Sequence, residues 1–143
     1  MKFKEIDHPS DVGIVAYGKD MKELFKNAAE GMFSIIADRE KDKGQRSEVK
    51  GQSVKITAED REQLLVKWLN ELLFLATTKR LTFFKFEINN LNKMSLTAKV
   101  YGQPIHSPNE IHAEIKAATY HQLKIISPDK NRLFWQARVI FDV

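Results

Sequence analysis

From Leu133 to the last residue, apolar and polar positions alternate with a period of two: Trp135, Ala137, Val139, Phe141 and Val143 interleave with Phe134, Gln136, Arg138, Ile140 and Asp142. This pattern predicts a strand with one buried face that pins the end of the chain inside the fold. At the other end, Phe3 and Ile6 precede a break at His8-Pro9-Ser10-Asp11, and Val12 to Gly18 follows with strong strand propensity. We read these as two strands around a proline turn. Asp20 is then placed as an N-cap with Glu23 three residues on, and Leu24, Phe25, Ala28, Ala29, Met32, Phe33 and Ile36 recur at helical spacing. They predict an amphipathic helix ending near Asp38.

Arg39 to Glu48 is charged or polar throughout except for Gly44, and reads as an exposed loop within one domain. Val49 to Thr57 reads as a strand. Thr57 and Asp60 mark the start of a second helix, whose stripe of Leu64, Leu65, Trp68, Leu69, Leu72, Leu73 and Ala76 is the strongest in the chain. Four further strands are expected at Thr82 to Ile88, Met94 to Tyr101, Ile111 to Ala118 and Gln122 to Ile126, separated by Asn- and Pro-containing turns. Two helices serving seven or so strands argue against a doubly wound parallel fold. The expected class is α+β, a two-layer sandwich in which an antiparallel or mixed sheet carries both helices on one face, as a single domain over residues 1–143.

Composition narrows the chemistry. The chain has 143 residues and no cysteine, so disulfides, thiolate metal sites and cysteine nucleophiles are all excluded. No apolar run approaches the roughly 20 residues needed to span a bilayer, and no signal-peptide core follows Met1, so a soluble, cytoplasmic protein without membrane contact is expected. A formal net charge of +4 favours acidic partners but does not by itself make a nucleic-acid binder.

There is no glycine-rich phosphate loop and no local signature of a Ser, His and Asp arrangement. His8, His106, His112 and His121 lack metal-ligand spacing, and His106 and His112 read as surface or loop residues. Trp68 and Trp135 lie on apolar stripes and read as core. Asp11 stands out, because it follows the proline turn and precedes a core strand. If the fold brings it beside Asp142 and the carboxylate of Val143, three hard oxygen donors converge. Such a group would repel itself unless a divalent cation neutralised it, and calcium, magnesium or manganese suits oxygen ligation better than zinc.

Five segments, in order, resemble the archease family. They are His8 to Ile14 (HPSDVGI), Leu24 to Phe33 (LFKNAAEGMF), Trp68 to Phe74 (WLNELLF), Glu114 to His121 (EIKAATYH) and the ending Val139 to Val143 (VIFDV). The resemblance spans essentially the whole chain. It implies a non-catalytic, metal-binding activator of an RtcB-type tRNA-splicing RNA ligase, which promotes ligase guanylylation and multiple turnover and meets RNA through the ligase. Residue by residue it implies a metal site from Asp11, Asp142 and Val143, with calcium first and magnesium or manganese as alternatives, and a role in activating the partner for Lys116. The chain departs from the family pattern at Pro9-Ser10, where Thr-Ala is commoner, at Ala37, where Thr is usual, and at Gln122, where Gly is frequent. None of these removes a ligand. A second reading is a binding module or chaperone for an RNA-modifying enzyme such as a tRNA methyltransferase, resting on Lys79, Arg80, Lys85, Lys124, Lys130, Arg132 and Arg138. A metal-dependent hydrolase ranks below both, since no general base or nucleophile accompanies the acids.

Overall fold

Trp68 is fully buried and donates its indole N–H to the backbone carbonyl of Phe25 at 3.0 Å, tying the two helices together at the centre of the core. The computed structural model describes residues 1–7, 12–37 and 48–143. The described elements are β1 (Phe3–Asp7), β2 (Val12–Gly18), α1 (Met21–Ile36), β3 (Lys50–Thr57), α2 (Arg61–Lys79), β4 (Leu81–Leu91), β5 (Ser95–Pro104), a short 3-10 turn (Pro108–Glu110), β6 (Ala117–Ala118), β7 (Lys124–Ile126) and β8 (Trp135–Asp142). The proline turn with Asp11, and the charged loop with Asp38, fall outside the described residues.

Both helices start where side-chain chemistry satisfies their first free N–H groups. The Asp20 carboxylate accepts from the Glu23 N–H at 2.8 Å, and Asp60 accepts from the Gln63 N–H at 2.8 Å. Glu23 and Gln63 in turn reach back to the N–H groups of Lys19 and Glu59. The apolar stripe of α1 is wholly buried from Leu24 to Phe33, and α2 buries Leu64, Leu65, Trp68, Leu69, Leu72 and Leu73, as the periodicity predicts. Phe33 meets Phe83 edge-on at 5.6 Å between ring centroids, and Trp68 meets Phe86 at 6.3 Å. Each large side chain so buried contributes about 1.5–3 kcal/mol.

The α+β class holds, and every described strand pairing is antiparallel. The strands divide, however, between two sheets: β1-β2-β8-β6, with β7 also on β8, and β3-β5-β4. The helices cover one side of both, α1 lying on β1, β2, β8 and β4 and α2 on strands of each sheet.

Three local expectations change. The segment Ile111 to Ala118 is a strand only at Ala117–Ala118, because Ser107 and Glu110 close a capping box on the 3-10 turn and the chain reaches β6 through irregular structure. In β8, Ala137, Val139 and Phe141 are buried as expected, but Ile140 on the opposite face is buried too. It packs over Gly13, where an added Cβ would lie 3.0 Å from its Cδ1 and 2.5 Å from the Val139 carbonyl oxygen. Finally, β8 stops at Asp142 and Val143 is 54% exposed, so the last residue stands at the surface and is not buried with the stripe that leads to it.

Candidate functional site

β6 has only two residues, too few to hold itself, and it is fixed by side chains and backbone from two other elements. The Lys116 N–H donates to the Asp142 carbonyl at 2.8 Å. Thr119 doubles the tie, its N–H and its hydroxyl both donating to the Ile140 carbonyl at 3.0 and 2.8 Å. From the other side, the Asn70 amide accepts from the Ala118 N–H at 2.7 Å and donates to the Ala118 carbonyl at 3.1 Å. Asn70 therefore takes the place of a neighbouring strand along one residue of β6.

Three of the segments singled out in the sequence thus meet at one rim: α2 through Asn70, the Lys116 to Thr119 stretch, and the end of β8. Ile115 is buried, while the side chains of Lys116 and Asp142 are exposed. The backbone at both positions is held and the charged ends face solvent. Asp11 lies outside the described residues, but its sequence neighbour Val12 pairs with Phe141, the neighbour of Asp142.

Among the described residues, no three His, Cys, Asp or Glu side chains gather anywhere that could hold a metal. The described members of the expected donor set are Asp142 and Val143, and no described residue forms an ion pair with either. Exposed carboxylate oxygens on a held backbone fit a hard divalent cation, which tolerates water in its remaining positions. A cleft of about 450 Å³ lined by Lys2, Tyr17, Lys26 and Phe134 lies beside Gly18, which pairs with Trp135 at the opposite end of β8.

His106 and His112 are exposed, and Trp68 is core, in line with their sequence readings; His121 is exposed as well. Trp135 is half-buried, with the Arg61 guanidinium 5.1 Å from its ring centroid. The cations behind the RNA-enzyme reading do not share one surface. Lys124 and Arg138 are paired across β7 and β8, Lys85 lies in the other sheet, and Arg132 is bound to Asp129 at 3.6 Å.

The sequence reading assigned no role to Asn70 or Thr119. The available signal was a helix-disfavouring, hydrogen-bonding Asn inside the strongest apolar helix, which asks for a local partner. Gln122 has φ 53°, the left-handed conformation that glycine adopts without cost, which accounts physically for a frequent Gly at this place.

No helix among the described residues is long and apolar enough to cross a membrane. A family model described as the archease protein family (MTH1598/TM1083) matches residues 3–143. The chain is 36% identical to the archease of Methanothermobacter thermautotrophicus, over 99% of its own length and 98% of the relative's. It is 34% identical to that of Methanosarcina mazei, over 99% and 96%. Among solved structures it resembles the solution structure of Methanobacterium thermoautotrophicum protein 1598, with a TM-score of 0.73, 36% identity and 99% of each chain covered. It shares its fold with the crystal structure of an archease, described as a possible chaperone, from Thermotoga maritima: TM-score 0.64, 22% identity, 98% and 96% covered. With residues 3–143 matched by the family model and relatives aligned over 99% of its length, the chain belongs to the archease family.

Proposed function

We propose that this archease is a non-catalytic, metal-binding activator of an RtcB-type tRNA-splicing RNA ligase, promoting ligase guanylylation and multiple turnover in tRNA splicing or RNA repair. The observation that carries the reading is the backbone bond from Lys116 to Asp142, which sets a cation and a carboxylate from distant parts of the chain on one exposed rim. Asp142, the terminal carboxylate of Val143 and Asp11 would hold a divalent cation, calcium first. The cation would neutralise the carboxylates and so fix the rim's shape and charge. Lys116 adds a positive group beside them that can meet phosphate or an acidic side chain of the partner. In the ligation reaction the substrate RNA is met through the ligase, in the cytoplasm.

The test is multiple-turnover RNA ligation by a cognate ligase, with and without this protein. The parent is expected to raise turnover, and Asp142→Ala and Lys116→Ala proteins that fold normally to fail. Equal stimulation by parent and variants would overturn the reading.

The description of the Thermotoga maritima relative as a possible chaperone favours a second reading, a binding module or chaperone for an RNA-modifying enzyme such as a tRNA methyltransferase. Protection of such an enzyme from aggregation that survives loss of Asp142 and Lys116 would favour it over the first.

A further inference from the structure

The sheet β3-β5-β4 buries one face under the helices and leaves the other open. Val54, Ile56, Leu96, Ala98, Val100 and Phe86 point inward, and the alternate positions are exposed or half-buried. At the middle of the open face, on the central strand, stands Tyr101, with Lys85 opposite it on β4 and Gly51 opposite it on β3. The ammonium groups of Lys85 and Lys99 lie 5.2 and 5.7 Å from the Tyr101 ring centroid. Glu87 orients the group, accepting from the Tyr101 hydroxyl at 3.3 Å and pairing with Lys85 at 3.2 Å. Two residues beyond Lys99 on the same face, Thr97 is paired with Lys55 on β3. Two lysines and one carboxylate thus surround a single aromatic ring, and Lys55 lies about 13 Å further along the same face.

We propose that this open face is a platform for single-stranded nucleic acid. A base stacks on Tyr101 once Lys85 and Lys99, whose ammonium groups lie over the ring, swing out to the flanking phosphates. Lys55 meets the strand further along. An aromatic ring set among cations on an open sheet face is the combination that single strands require: a π-face that accepts any base, and positive charge that follows the backbone. An acidic protein segment would use the lysines but would have no need of the aromatic ring. The face is distinct from the rim of Lys116 and Asp142, and the proposal stands or falls independently of the ligase reading.

The experiment is fluorescence anisotropy of the whole chain with labelled oligouridylate and oligodeoxythymidylate over a range of salt. Binding is expected to weaken with salt at a log–log slope of about −2, from three lysines on a single strand. Tyr101→Phe keeps the ring and should bind like the parent, whereas Tyr101→Leu should weaken binding roughly tenfold. Lys85→Gln with Lys99→Gln should flatten the slope to about −0.7. Absence of binding, a slope unmoved by the lysine pair, or equal binding by the Phe and Leu variants would overturn the proposal, as would competition by polyglutamate as effective as by unlabelled oligonucleotide. Should Tyr101→Leu fail to fold, the lysine pair, whose side chains lie on the surface, decides.

Discussion

Asn70 on α2 closes two hydrogen bonds on Ala118, one through each atom of its amide, and so holds the segment carrying Lys116 in place. Asn70→Ala is expected to cost about 2 kcal/mol, since it strands a half-buried N–H and carbonyl. Asn70→Asp should cost at least as much, because one carboxylate oxygen can still accept from the Ala118 N–H while the other faces the Ala118 carbonyl. Urea unfolding measures the loss. Amide exchange adds the local signature: faster exchange at Ala118 and Thr119 in both variants, with the α2 core unchanged.

Asp142 offers the cleanest test of the metal site, because its side chain is exposed and its carbonyl, not its carboxylate, holds Lys116. Asp142→Asn should leave stability within about 0.5 kcal/mol. Calcium affinity, measured by calorimetry, should fall at least tenfold. Extending the chain past Val143 should likewise weaken calcium binding without unfolding the protein, by turning a terminal carboxylate into an amide. Undiminished affinity in both proteins would remove this end of β8 from the site.

Gly13 faces the backbone of β8 so closely that a Cβ would lie 2.5 Å from the Val139 carbonyl oxygen. Backbone cannot turn aside as a side chain can. Gly13→Ala is therefore expected to destabilise by about 3 kcal/mol or more, and to disturb the Val12–Phe141 pairing next to the rim. A thermal melt within two degrees of the parent would contradict this.

Gln122 runs the other way. Its left-handed φ costs a residue with a Cβ about 1 kcal/mol, which Gln122→Gly would recover, less the exposed hydrogen bond from Arg138 at 3.2 Å. A modest rise in the denaturation midpoint is expected. Gln122→Ala, which keeps the Cβ, should show none.

What could be read from the sequence follows from how local each determinant is. The two helices were legible because their caps and stripes lie within a few residues of one another, as Asp20 with Glu23 and Asp60 with Gln63 show. The strand composition of Ile111 to Ala118 predicts a long strand, but the partners that limit β6 to two residues, Asn70 and β8, are remote in sequence. Alternation places Val143 inside because it carries no information about where the partner strand ends: β6 runs out at Ala117, opposite Asp142. The division into two sheets was invisible for the same reason. Of the candidate site, the residue types were legible from the resemblance. The juxtaposition of Lys116 with Asp142 came only from long-range pairing.

The two tryptophans occupy opposite environments, Trp68 wholly inside with its N–H bonded to Phe25 and Trp135 half-buried at the start of β8 beneath Arg61. The molecule therefore carries two separable optical channels. Emission from Trp68 should be blue-shifted and closed to iodide, reporting only when the whole core opens. Trp135 should be quenchable in the native state, so that it registers motion or occupancy along the strand that ends at Asp142 while its companion stays silent.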